Sequence, residues 1–408
     1  MQKVQKATIF AAVITSFITT FMGSALNLSV PDMSSEFNVS AGAIGWVVTV
    51  YMLIAAAFAV PFGRIADLTS RKFVLASGIA VFGTASLFSV FAGGLIAVIA
   101  GRGAQGFGAS MIFATNHAIL ISEFDESRRG KVLGYATAST YVGLAAGPVL
   151  GGFLNYNFGW RSIFAMNCIV SVIVFVTALV GIPAKNKENG AGDTKKNWDL
   201  LGNALFICMI LAVIYGLTEL MRNKFAPYIA TAGIVLGAAF VLRELKTESP
   251  VVDVRIFRGN PAYALSNLAA LLSYGATYAI GYLISIYLQT ALGYTSQTAG
   301  LILIASPVVM AVLSPLTGKL SDRVSPFLLA AAGMAVTAVS LVIFVFVSED
   351  TSLVVIIGAL LLSGLGNALF SSPNTNAVMS CAPAEALGVA SSVLATDRRC
   401  RSSYGHQN

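Results

Sequence analysis

Arg102 and Gln105 lie inside an apolar run at about 95–121. They are the side chains of this sequence best suited to hold charge or relay a proton away from bulk water. An ionised guanidinium within a bilayer is expensive unless it meets water, partners or an interface, so Arg102 marks either a transport pathway or an interfacial anchor. Gln105 follows almost one helical turn later, within reach of the same pocket. His117, near the end of the same run, titrates in the physiological range but stands alone and reads as structural. Tyr274, Tyr278 and Tyr282 recur every four residues. On a helix that spacing aligns three aromatic surfaces with polar tips, for binding or for packing.

Carboxylates are missing from such positions. Every acid falls in a connection or near the end of an apolar run, with Asp32 and Glu219 nearest the interior. Cys168, Cys208, Cys381 and Cys400 lack paired metal-ligand spacing and read as small packing residues. No phosphate-cradling loop or nucleophile triad is supported by spacing. The chain is expected to be no enzyme, and to use no cofactor and no metal.

The elements that must position these residues are helices. Hydrophobic residues make up 56% of the 408 and charged residues 11%, against about 25% charged in a soluble domain. Apolar stretches of ~20 residues recur throughout, each long enough as a helix to cross a bilayer. Backbone in lipid must satisfy its own hydrogen bonds, and the alternation a membrane barrel needs is absent. The reading is an all-α polytopic membrane protein with about twelve spans. They fall near 7–30, 44–63, 73–93, 95–121, 132–154, 161–182, 200–219, 227–243, 263–289, 297–316, 327–347 and 353–378. The formal charge of +7 is spread over connections, which argues for topology rather than nucleic-acid binding. With the amino terminus in the cytoplasm, Arg71, Lys72, Arg128, Arg129, Lys185 and Arg243 all fall on the inner side, as the positive-inside rule requires. Trp46 and Trp160 fit an interfacial aromatic belt.

The connections divide the chain. A six-helix bundle at 1–182 precedes a polar cytoplasmic linker at 183–199. A helix pair at 200–243, a cytoplasmic loop at 244–262 and a second helical series at 263–396 follow. The second series echoes the first. GRIADLTSRK at 63–72 follows the second span, and GKLSDR at 318–323 follows the corresponding span of the second series. The shared features are Gly63 and Gly318, Asp67 and Asp322 four residues later, and the adjacent basic residues Arg71, Lys72 and Arg323. Gly63 reads as permitting a tight turn. In the fifth span, GLAAGPVLGG at 143–152 places Gly143, Gly147 and Gly151 on one helix face beside Pro148 and Gly152. Small residues let helices approach closely and the proline removes a backbone hydrogen bond, which serves either a hinge or ordinary packing.

On these motifs the chain resembles the major facilitator superfamily, in particular its fourteen-helix drug:proton antiporter branch, over nearly everything up to about Thr396. The resemblance implies a major facilitator fold in which Gly63, Asp67, Arg71, Lys72, Gly318, Asp322 and Arg323 form cytoplasmic gate loops. It makes the 143–152 segment an antiporter-motif hinge and seal. It also implies a proton or substrate pathway drawn from Asn27, Arg102, Gln105 and the three tyrosines. Relatives carry an intramembrane aspartate nine residues before the proline that closes the first span. Here that position is Met22, while Asn27 of the same pattern is kept. The cavity therefore suits neutral or weakly charged amphipathic compounds.

The implied activity is export of amphipathic small molecules or drugs by proton antiport with alternating access. The competing readings are a proton-independent metabolite transporter and an inactive truncated remnant. The partners expected are a small-molecule substrate, protons and the lipid bilayer, with no nucleic acid, for a monomer. The location expected is the inner (plasma) membrane, multi-pass. The last expectation concerns the end of the chain. A fifth helix of the second bundle begins at 388–396 and gives way to a polar tail at 397–408, as in a truncated product, so the second bundle is expected to be incomplete.

Overall fold

The computed structural model describes residues 3–379 except 125, 183–198, 221–222, 248–249, 252–253, 256–258, 322–323 and 349. The linker, Asp322, Arg323, Cys381, the 388–396 segment and the polar tail thus lie outside the described residues. Helix follows helix, with no strand among the described residues. α1 (Lys3–Ser24) passes through a 3-10 turn (Ala25–Ser29) into α2 (Val30–Phe37). Then come α3 (Ala41–Leu68), α4 (Arg71–Val90), α5 (Leu95–Glu123), α6 (Glu126–Phe158) and α7 (Arg161–Gly181). α8 (Leu200–Thr218) and α9 (Ala226–Glu244) form the middle pair. α10 (Pro261–Thr290), α11 (Ser296–Leu303), α12 (Ala305–Leu320), α13 (Pro326–Val345) and α14 (Leu353–Met379) complete the described chain.

Local chemistry sets the reversals. Ser40, Ser70, Asp199, Asn260 and Thr295 each accept a hydrogen bond from a backbone N–H in the first turn of the helix that follows, satisfying a donor the helix cannot. Gly159 between α6 and α7 and Gly293 between α10 and α11 take positive φ, +75° and +67°, where a side chain would be strained. Among the described residues, eleven helical segments are long and apolar enough to cross a membrane, with α1–α2 counted as one and α11–α12 as another. α6 covers the remaining expected span, 132–154, and is not among the eleven. It runs for 33 residues but is more polar than the rest.

Two groups of helices result. α1 and α3–α7 close around Phe21, Met22, Tyr51, Phe82 and Phe164. α10–α14 close around Ile284, Leu288, Ile356 and Leu360. The groups meet where α6 packs on α11 and α12, and where the 3-10 turn packs on α10 and α11. Leu28 of that turn is buried in the core of the second group. The α8–α9 pair packs on α3, and only 11% and 22% of the two helices' apolar windows are buried, so most of their surface faces outward.

One expectation changes here. Gly63 makes no turn: α3 continues to Leu68, and the chain reverses at Thr69 and Ser70. Gly318 is likewise helical, inside α12. The two tryptophans are also tied to carboxylates. Trp160 is 3% exposed and donates to Glu36 Oε2 at 2.7 Å, while Trp46 donates to Glu219 Oε1 at 2.6 Å and so ties α3 to the end of α8. A buried indole N–H needs an acceptor, and in each case a glutamate supplies one.

Candidate functional site

α6 is the element both groups share. A Cβ on Gly143 would lie 2.6 Å from Phe17 O, and one on Gly151 would lie 2.9 Å from Ala25 Cα and O. Gly147 faces the same way, 3.1 Å from Ala25 N. These three glycines let the α6 backbone touch α1 and the 3-10 turn. Gly152 faces the other group: its Cβ would lie 2.6 Å from Ser296 O of α11. A Cβ on Gly300 of α11 would come within 2.2 Å of Pro148 O. Pro148 cannot donate to the Leu144 carbonyl one turn back, and Ser24 Oγ of α1 reaches that oxygen at 3.5 Å. The motif thus presses backbone against backbone on two sides of one helix.

A polar network crosses the first group. Arg102 is fully buried; its Nε donates to Val47 O at 2.9 Å and its Nη1 to Gln105 Oε1 at 2.9 Å. Its guanidinium lies over the Tyr51 ring, 4.1 Å from the centroid. Gln105 and Asn167 both donate to Ser86 Oγ at 2.6 Å, and Ser86 donates to Phe82 O. Tyr51 donates to Thr19 O of α1 at 2.8 Å. The interfacial reading of Arg102 fails, because the guanidinium is enclosed by α3 and α5 and linked onward to α4 and α7. Met22 is 0% exposed, so the position that the resemblance gives to an acid is part of the apolar core here.

Asn27 sits in the 3-10 turn, 8% exposed, and its backbone oxygen accepts from Ser285 Oγ of α10 at 3.4 Å. The tyrosines divide. Tyr274 is hydrogen-bonded with Ser371 Oγ of α14 at 3.3 Å, whereas Tyr282 packs against the first group's core, its hydroxyl beside Gly45. The Tyr278 side chain lies outside the described residues. Sequence reasoning missed Tyr141 of α6, whose hydroxyl is hydrogen-bonded to the same Ser371 and so joins the two groups. It also missed Asn367, one turn before Ser371 and fully buried, which accepts from Ser273 and Thr277 of α10 at 3.3 and 2.8 Å. The available signal was Asn367 and Ser371 at i, i+4 inside an apolar span.

At the gate motifs, Gly63 is buried in α3, and the Asp67 side chain lies outside the described residues. Arg71 and Lys72 open α4, and Lys72 Nζ donates to Leu179 O at 2.8 Å, capping the last turn of α7 within the same group. Gly318 brings α12 against α14: a Cβ there would lie 2.7 Å from Ser372 Oγ.

The family model of the Major Facilitator Superfamily matches residues 12–396. The chain belongs to the major facilitator superfamily. It is therefore a multi-pass membrane transporter for small molecules, not an enzyme. It is similar to the riboflavin transporter RibZ of Clostridioides difficile, 28% identical over 389 residues, covering 95% of this chain and 84% of that protein. The multidrug resistance protein Stp of Mycobacterium tuberculosis is 29% identical over 413 residues, covering 99% and 75%. The cephamycin export protein CmcT of Amycolatopsis lactamdurans is 28% identical over 403 residues, covering 95% and 81%. A solved peptide transporter of the POT family, crystallised with sulfate, shares the fold with a TM-score of 0.70 at 14% identity, covering 97% of this chain and 89% of that one.

Proposed function

We propose that this superfamily member is a secondary exporter of amphipathic small molecules, working by alternating access and driven by proton antiport, with its amino terminus in the cytoplasm. The observation that carries the reading is the α6 seam, where Gly152 and Pro148 meet the backbone of α11 while Gly143 meets that of α1 and Gly151 that of the 3-10 turn. A joint made of backbone and small residues can open and close between discrete packings without reshaping side chains. Export of chemically varied cargo also agrees with the likeness to a multidrug resistance protein and a cephamycin export protein. In the second group, Asn367, Ser371, Ser273 and Thr277 offer neutral hydrogen-bonding groups rather than charge, which suits neutral or weakly charged cargo. Moving one charge across ~100 mV supplies about 2.3 kcal/mol, enough to bias the cycle. The buried Met22 favours a second reading, transport of a metabolite without proton coupling.

Reconstituted protein separates the two. Dye movement that follows an imposed pH gradient and collapses with an uncoupler supports antiport, whereas counterflow of equal rate with and without the gradient supports the second reading. Absence of movement under any gradient sinks both.

A further inference from the structure

Above the α6 seam lies a cavity of about 530 Å³ between the two groups, at the face where α2 and α6 end and α11 begins. Its volume is in the range that holds drug-sized ligands. Asp32, Asn155 and Tyr156 line it from the first group, and Gln289, Tyr294 and Ser296 from the second.

The lining is rich in acceptors. Glu36 and Trp160 also border the cavity, but Glu36 is already paired with Arg161 at 2.7 Å and accepts from Trp160. Asp32 accepts from Asn155 Nδ2 and forms no ion pair among the described residues. Asn155 is 5% exposed; its Nδ2 also reaches Ser296 Oγ at 3.4 Å, and its Oδ1, itself buried, has no hydrogen-bond partner among the described residues. Gln289 spends its amide N–H groups on Ser285, which leaves its carbonyl as a further acceptor. The Asp32 carboxylate and the Gln289 carbonyl border the cavity together with Tyr156 and Tyr294. A metal ion of the hard oxygen-seeking class takes six to eight oxygens and several charges, which one carboxylate does not provide. A flat organic cation with N–H donors satisfies both the acceptors and the aromatic faces.

We propose that this vestibule is a binding site for organic cations bearing N–H donors, such as amidines and protonated amines, distinct from the cargo site. The ligand's N–H groups bond to Asp32 and the Gln289 carbonyl while its plane rests on the tyrosines. Because it touches both groups at once, its binding holds this face closed.

Equilibrium dialysis of the purified full chain tests the site with two probes: pentamidine, a diamidine, and tetraphenylphosphonium, a cation without N–H. Asp32→Asn is expected to weaken pentamidine by about 10- to 100-fold, the loss of one charge-assisted hydrogen bond, and to leave tetraphenylphosphonium unchanged. Tyr156→Ala, at a ring 60% exposed, is expected to weaken pentamidine as well, and it decides the matter if the Asp32 variant is not monodisperse. Unchanged pentamidine affinity in these variants overturns the proposal, as does an equal loss for both probes. Dialysis needs no gradient, so failure of the transport reading and failure of this site are read separately.

Discussion

Gly152 and Gly151 are neighbours in sequence but face different helix groups, and this makes alanine substitution a direct test of the seam. A methyl on Gly152 meets Ser296 O at 2.6 Å, across the joint between the groups, and a contact that short must be relieved by movement. Overpacking of this kind costs about 1–3 kcal/mol. The contact exists only while this face is closed, so the cost falls on that state alone and shifts the equilibrium towards opening by about 5- to 150-fold. A methyl on Gly151 meets Ala25 within the first group, and its cost falls on both states as lost stability. The assay is alkylation of Ser29→Cys by a membrane-impermeant maleimide, with the native cysteines replaced by serine. Ser29 is fully buried in the 3-10 turn beside the joint. Gly152→Ala is expected to raise the labelling rate without lowering the melting temperature, and Gly151→Ala to do the reverse. An unchanged rate for Gly152→Ala together with a raised rate for Gly151→Ala would refute the assignment of the two faces.

Gln105→Leu removes the acceptor of Arg102 Nη1 and a donor to Ser86. It should cost about 1.5–3 kcal/mol, read as a lower thermal midpoint in detergent, while His117→Leu should cost less. Pro148→Leu restores a donor for Leu144 O inside α6; it should depress flux in vesicles well below that of Pro227→Leu, an exposed proline at the start of α9. Asp199 supplies a dependence on pH. Burial raises its pKa, but the Arg243 hydrogen bond at 2.6 Å, the Gly202 amide, the charge on Arg243 and Glu244 outweigh that and hold it below the usual carboxylate range. A depressed folded value means the stabilisation is present above the unfolded pKa and is lost as pH falls through the folded one. Thermal midpoints measured on acidification should therefore fall less steeply for Asp199→Asn than for the native chain.

The spans and their order were legible because lipid imposes a crude rule, ~20 apolar residues per crossing, that survives errors at the boundaries. α6 was legible too, less through hydropathy than through its glycines and proline, whose spacing has few other uses. Gly63 misled because glycine followed by charges looks the same at the end of a long helix as in a loop. The difference lies in how far α3 projects beyond its apolar run. Tyr141 and Ser371 were invisible as a pair because 230 residues separate them, and no local pattern ties one to the other. Arg102 was legible as an anomaly. Its enclosure by Val47 O and the Tyr51 ring was not, because both come from a helix about 50 residues earlier.

The α8–α9 pair is fastened to one flank, through Trp46 on Glu219 and Val60 on Phe240, with its outer surface bare. Any rocking of that flank sweeps two extra helices sideways through the annulus of lipid. The work of turnover then includes shearing that lipid, so stiff or thick bilayers should slow this transporter through an appendage remote from its cargo.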